Sequence, residues 1–292
     1  MPSTRDIRRR IKSVKNTAQI TKAMQMVAAS KMRRAQQAAL ASRPYAAMMN
    51  EVLGNVVSRA GDFTHPLMEQ REVGRRGLIV VSTDKGLCGA LNSNLMREAA
   101  KADKQTTVYI TAGRKAAQFI ARSRRQLAAE FTYKDAPLFG EARAISRFAR
   151  DMFLRGEADR VDILFTNFIS TLSQKPELRT LLPVGELKAI SVGIPRPAEE
   201  EKLPQGATEF LFEPGAEQVL GALLPHSLNF QVYQILLEAK ASEQSARMVA
   251  MKNATDNAYQ LIKDLTLDYN KLRQTNITKE LLEIASAAMA MG

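Results

Sequence analysis

Ile7 to Gln36 reads IRRRIKSVKNTAQITKAMQMVAASKMRRAQ, thirty residues without glycine or proline. Ile7, Ile11, Val14 and Ala18 recur at steps of four, three and four, the rhythm that lays a narrow apolar stripe along one helix face. Upstream, Ser3 followed three residues later by Asp6 is a capping signature, and no glycine occurs before Gly54. The spacing predicts a helix from residue 3 to about 58, kinked or briefly broken at Pro44, after which Tyr45, Met49, Val52 and Val56 resume the rhythm. Between those stretches the stripe is made of Ala28, Ala35 and Ala38, so a partner helix can approach closely.

The far end of the chain carries the matching pattern. Met251, Ala254, Ala258, Leu261, Leu265 and Leu272 follow steps of three, four, three, four and seven, and Ile277, Leu281, Ile284 and Ala288 continue as a second seam. Helix is therefore expected from about 215 to 288, with an interruption or kink near Pro225. Two long terminal helices with narrow stripes bury them most simply against each other as an antiparallel coiled coil. Some 50 residues of helix reach about 75 Å at the helical rise.

Between the terminal helices the period changes. GLIVVS (77–82), TTVYIT (106–111) and RVDILFTNFI (160–169) read as strands, with helical candidates at 91–102, 114–123 and 141–155. Strand and helix alternation of this kind argues for βαβ units and a small parallel sheet. The acidic, proline-bearing stretch 195–206 reads as an exposed connector. The expected class is α+β overall: a long antiparallel two-helix coiled coil (1–58 and 208–292) around a central Rossmann-like α/β domain (59–207).

Composition bounds the function. At 45% hydrophobic and 25% charged residues over 292 positions, the chain is neither wholly disordered nor collagen-like. Its one cysteine, Cys88, excludes an intrachain disulfide and suits a reducing compartment. The net charge of +12 is concentrated at the start: residues 1–60 hold 12 Lys/Arg against 2 acids, whereas residues 208–292 hold 7 against 10. Such a segment meets an acidic partner, whether nucleic acid, an anionic membrane or a protein surface. No signal peptide and no transmembrane span is read, because the basic start leads into no apolar run and the longest uncharged stretch, 218–237, is broken by polar residues.

Few residues point to catalysis. Thr83-Asp84-Lys85-Gly86-Leu87-Cys88-Gly89 lies between a strand and a helix, where open α/β sheets bind phosphates. No Gly-Lys dipeptide and no GxGxxG occurs, however, so the loop is read as structural or partner-contacting, with ligand binding the alternative. Cys88 is read as a buried structural cysteine, since neither His65 nor His226 lies in a motif beside it. No Cys/His metal spacing is present, so neither metal nor cofactor is expected. The basic helix could track a phosphate backbone, which makes a coiled-coil nucleic-acid-binding protein the alternative reading. No aromatic residue precedes Tyr45, so a stacking platform for single strands is missing.

Four segments, in order, resemble the gamma subunit of F-type ATP synthases along essentially the whole chain: 7–36, GLIVVSTDKGLCGALNSNL (77–95), ARMVAMKNATDNA (246–258) and LDYNKLRQTNITKELLEIASAAMA (267–290). The resemblance implies a non-catalytic rotor shaft, one copy per complex, with the terminal helices inside a hexamer of alternating alpha and beta subunits. The α/β domain would then meet epsilon and the membrane proton-conducting c-ring.

By the same resemblance, Lys22, Met24 and Gln25, with the cations Lys31, Arg33 and Arg34, are the expected contacts to acidic levers of beta. Arg273, Gln274 and Thr278 match a polar contact with a beta loop. Ile284, Ala288 and Met291 belong to a small apolar end suited to turn inside a hydrophobic collar. The plant-chloroplast form of the family carries an inserted regulatory cysteine pair, which Cys88 alone does not reproduce. A family start at the N-terminus without a transit peptide favours a peripheral protein on the cytoplasmic face of a bacterial inner membrane.

Overall fold

The computed structural model describes residues 3–42, 44–45, 48–49, 52–53, 65–184 and 215–291, with the side chains of 216, 217, 220, 290 and 291 excepted. Helix α1 spans Thr4–Ala41. Its start is the expected reciprocal cap: Ser3 Oγ donates to Asp6 Oδ2 at 2.7 Å, and the Asp6 amide donates back to Ser3 Oγ at 3.2 Å. Ser42 is a turn, and Pro44, Tyr45, Met48, Met49, Val52 and Leu53 are again helical, so the break falls where Pro44 predicts it. The domain boundaries expected near 58 and 207, and the connector at 195–206, lie outside the described residues.

The central sheet has five strands: β1 (Arg76–Val81), β2 (Thr107–Ala112), β3 (Gln126–Phe131), β4 (Arg160–Phe168) and β5 (Gln174–Leu182), in the order β3-β2-β1-β4-β5. β1 to β4 run parallel, and β5 is antiparallel to β4. Helices α2 (Leu91–Ala100), α3 (Arg114–Arg122) and α4 (Phe139–Leu154) connect them, and α5 spans Ala216–Met291. Leu78, Val80, Tyr109 and Leu164 on one sheet face meet Leu95 and Ala99 of α2 and Ala116 and Ile120 of α3. Ile79, Ile110, Ile163 and Phe165 on the other face meet Ile145 and Phe153 of α4 and Leu228 to Ala239 of α5. The alternation of side chains along each strand thus buries both faces, as a parallel sheet requires.

The expected strands and helices stand, shifted by one or two residues. β3 and β5 were not expected. Both are edge strands whose outward positions are exposed, and β5 carries Pro176, which an edge tolerates because it need not donate to a further neighbour. α5 passes through Pro225 as uninterrupted helix rather than breaking there.

Two compact units divide the chain, residues 1–28 with 248–292 and residues 29–247. In the second, Ala35 packs with Ala241, Ala39 with Leu237, and Gln234 Nε2 donates to Ser42 Oγ, so advancing along α1 means retreating equally along α5. In the first, Thr21 and Thr255 meet hydroxyl to hydroxyl at 2.7 Å. Two hydroxyl protons serve three contacts there, because each oxygen also faces a carbonyl of its own helix, Ala18 or Met251. A buried polar pair at this spacing penalises any slip of one helix along the other.

The seam itself corrects one expectation. On α5 the buried stripe is Met251, Thr255, Ala258 and Leu265, and Leu261 is 39% exposed against 8% for Leu265, so Leu261 lies beside the seam. On α1 the expected Ala38 is half-buried and packs on the contact of the fully buried Ala39 with Leu237. The slip comes from counting apolar residues, when Thr255 holds the seam position that keeps the steps at four and three.

Candidate functional site

Within the first unit the helix pair runs out before α5 does. Continuing the Thr21–Thr255 register, the start of α1 stands opposite Leu272, and from Arg273 onward α5 has no partner among the described residues of its unit. Ile277, Leu281 and Ile284, the expected second seam, are accordingly 49%, 61% and 66% exposed, and Ala288 is exposed with them. An apolar stripe left open on a helix that has already used its intrachain partner marks a place for another surface. Arg273, Gln274 and Thr278 are all exposed at the base of this segment, with Thr278 Oγ1 donating only to the Gln274 carbonyl of its own helix. Met291 ends α5, and its side chain lies outside the described residues.

On α1, Lys22 is exposed and its ammonium lies 3.4 Å from Gln25 Oε1, while Met24 and Gln25 are half-buried. Around them stand Ile20, Met26 and Val27, all more than half exposed. The sequence reading missed these three as contact candidates, although they are apolar residues off the seam, a signal present in the heptad count. Arg33 and Arg34 are exposed and belong to no ion pair among the described residues. Lys31 differs: its ammonium is 2.5 Å from Asp135 Oδ2, and that hydrogen bond is the main reason the Asp135 carboxyl titrates below its ordinary 3.8.

Lys31 is one end of a charged string inside the second unit. Asp135 also faces Lys240 at 3.5 Å, Lys240 pairs with Glu243 at 2.9 Å, and Glu243 pairs with Arg247 at 2.8 Å. Lys240 and Glu243 are 3% and 5% exposed, and the Lys240 ammonium also lies 4.7 Å from the centre of the Tyr133 ring. The i, i+3 and i, i+4 spacings put 240, 243 and 247 on one face of α5. Alternation of sign along the string keeps each buried charge compensated.

The string ends on the loop after β1. Arg247 donates to the carbonyls of Gly86 at 3.2 Å and Lys85 at 3.4 Å. Thr83 Oγ1 donates to the Lys85 carbonyl, and Asn92 Nδ2 donates to Thr83 Oγ1, both at 2.7 Å. Asp84 Oδ1 accepts from the Arg114 amide at the first turn of α3, a favourable place for a carboxylate. Leu87 is held at φ 62° and 62% exposed. The loop is thus clamped from three elements and presents an apolar side chain outward, which is the structural or partner-contacting reading. Cys88 is buried, accepts from Asn92 Nδ2 at 3.3 Å, and burial pushes its thiol pKa up, so it is no ready nucleophile.

Among the described residues no group of three or more His, Cys, Asp or Glu is placed to hold a metal ion, and no helix is long and apolar enough to cross a membrane.

A family model described as ATP synthase matches residues 3–291. The chain is 49% identical to the ATP synthase gamma chain of Opitutus terrae, over 99% of both chains, and 45% identical to that of Methylacidiphilum infernorum, over the full length of both. Its fold matches a chain of the central stalk and c-ring of the Tetrahymena thermophila mitochondrial ATP synthase with a TM-score of 0.60 at 25% identity, covering 80% of this chain and 99% of that one. A chain in the Euglena gracilis mitochondrial ATP synthase, from the assembly of OSCP, F1 and c-ring, matches with a TM-score of 0.68 at 22% identity, covering 99% and 94%. With identities this high over its whole length, the chain belongs to the ATP synthase gamma chain family.

Proposed function

We propose that this chain is the rotor shaft of a proton-translocating ATP synthase. One copy sits in a hexamer of alternating alpha and beta subunits, and the chain binds epsilon and the membrane c-ring through its α/β domain. The working division is 1–58 and 208–292 as shaft and 59–207 as foot. The complex is placed on the cytoplasmic face of a bacterial inner membrane, with this chain peripheral to it. ATP chemistry belongs to three sites on beta, and this chain neither binds a cofactor nor catalyses.

The observation that carries the reading is the length of α5 left without a partner after Leu272, with Ile277, Leu281 and Ile284 exposed along it. A small apolar surface turns inside an apolar collar without directional hydrogen bonds to break at each step. Coupling needs the opposite quality elsewhere. Shaft angle changes the state of beta only if the shaft binds the three beta subunits differently, because equal affinity for all states shifts none of them. Arg33 and Arg34 on α1, Lys22 with Met24 and Gln25, and Arg273, Gln274 and Thr278 on α5 supply polar contacts on one chain that no threefold axis repeats. Lys31 joins that set only through the face of its side chain not given to Asp135.

The test is to tag the chain, release the complex from native membranes at low ionic strength, and measure co-purifying subunits and ATPase activity. Two larger subunits in threefold excess, with ATPase that the isolated chain lacks, support the shaft. A solitary chain that hydrolyses ATP or carries nucleic acid contradicts it.

A further inference from the structure

Away from the shaft contacts and the clamped loop, α4 and α5 enclose a cleft of about 480 Å³ in the second unit. Arg143, Arg147 and Arg150 line it from α4, where steps of four and three bring them to one face. Among the described residues the only carboxylate in the lining is Asp151, 3.8 Å from Arg147 Nε and 3.9 Å from Arg150 Nε, too far for a hydrogen bond to either. Arg143 is exposed and has no ion pair among the described residues. The lining thus sets three guanidiniums against one carboxylate that only two of them approach, which leaves fork-shaped donors to bind something else.

From α5, His226 and Asn229 line the same cleft. Asn229 is only 8% exposed, and its Oδ1 has no hydrogen-bond partner among the described residues. That oxygen is itself closed to solvent, so the donors that face the cleft are the guanidiniums and the imidazole. His226 Nε2 lies 2.7 Å from the Tyr45 hydroxyl, and the ring rests 5.7 Å from that of Phe139. With the phenol donating to Nε2, Nδ1 keeps the proton as a further donor.

A cleft with three guanidiniums against one carboxylate and an oriented imidazole has the donor set of an oxyanion site, and its volume exceeds what one orthophosphate fills. We propose that this cleft binds a ligand bearing phosphate groups with two or more negative charges, either a free di- or polyphosphate or the phosphate of a lipid headgroup. Nothing in the shaft reading requires such a site.

The test uses the full chain. Calorimetric titration with inorganic pyrophosphate, and co-sedimentation with phosphatidylcholine vesicles with and without phosphatidic acid, separate the two sources. Saturable binding of one pyrophosphate per chain is expected, weakened at least about tenfold by combined Arg143→Gln and Arg150→Gln. Asp151→Asn should tighten binding, a gain that misfolding cannot produce. Selective binding to phosphatidic acid vesicles, lost in the same arginine variant and without pyrophosphate binding, identifies the lipid source and also supports the site. Binding by neither probe overturns the proposal. So does binding that does not saturate, or that falls as much in an Arg8→Gln, Arg9→Gln control as in the cleft variant, since either reflects the general positive charge.

Discussion

Glu243→Gln tests the charged string that ties α5 to the loop after β1. The change keeps the size of the side chain and removes one charge from a residue 5% exposed that pairs with both Lys240 at 2.9 Å and Arg247 at 2.8 Å. Lys240 is then left 3% exposed with only Asp135 at 3.5 Å, which is itself shared with Lys31. Removing one partner of a buried pair costs about 3–5 kcal/mol, chiefly because the remaining charge stays buried. Asp135 and the Tyr133 ring still face Lys240, and Arg247 keeps its carbonyl bonds, so the expected loss is at the lower end, about 3 kcal/mol. For a unit of this size that lowers the melting temperature by about 6–12 °C.

Urea unfolding of the full chain measures the loss, and hydrogen exchange at 83–89 should rise as Arg247 loses its anchor. Replacing both Lys240 and Glu243 by apolar residues of similar volume should recover much of the stability. A Glu243→Gln chain within about 0.5 kcal/mol of the parent would refute the string as a structural device.

Leu261→Ala should change stability by less than about 0.5 kcal/mol, whereas Leu265→Ala should cost about 2 kcal/mol or more, read from thermal melts, because only Leu265 faces α1. Proline at Leu261 should still cost roughly 3 kcal/mol, since it breaks the helix whatever face it occupies. Gly113→Ala should cost at least about 2 kcal/mol and lower soluble yield: φ is 110°, and a Cβ there would lie 2.3 Å from the Ser82 carbonyl oxygen, which also accepts from Tyr133. Because Asp135 titrates below 3.8 when folded, its contribution is present above that value and lost as the pH falls through and below it; urea midpoints at about pH 5 and pH 3 should show a loss in the parent that Lys31→Gln lacks. Arg33→Glu with Arg34→Glu should leave assembly intact and lower proton-coupled ATP synthesis in membrane vesicles, since both side chains point away from the seam; normal synthesis would remove them from the contact set.

The periodic parts of the fold were legible in the sequence because burial writes itself as period. Ile7 to Ala18 and Met251 to Leu265 announce a helix pair, and the fully buried runs in β1, β2 and β4 announce a sheet covered on both faces. β3 and β5 left no such mark, since an edge strand exposes one side and tolerates charge and proline. The seam position of Thr255 was hidden for a related reason: a hydroxyl reads as surface until its partner, Thr21, is seen. The residues read as contacts on α1 and α5 came from resemblance: Lys22, Arg33, Arg34, Arg273, Gln274 and Thr278 are exposed, Met24 and Gln25 are half-buried, and exposure selects no partner. The Lys31–Asp135–Lys240–Glu243–Arg247 string could not be read at all, because it joins residues 31, 135 and 240–247 through a fold that brings distant segments together.

If this chain is the shaft, it turns inside its neighbours. The direct measurement fixes the alpha and beta subunits of the purified complex to a surface, attaches an optical probe to an engineered cysteine on the exposed part of the α/β domain, and follows it during ATP hydrolysis. Unidirectional rotation with three evenly spaced dwells, one for each beta site, is expected. ATP hydrolysis at an undiminished rate with the probe stationary would contradict it.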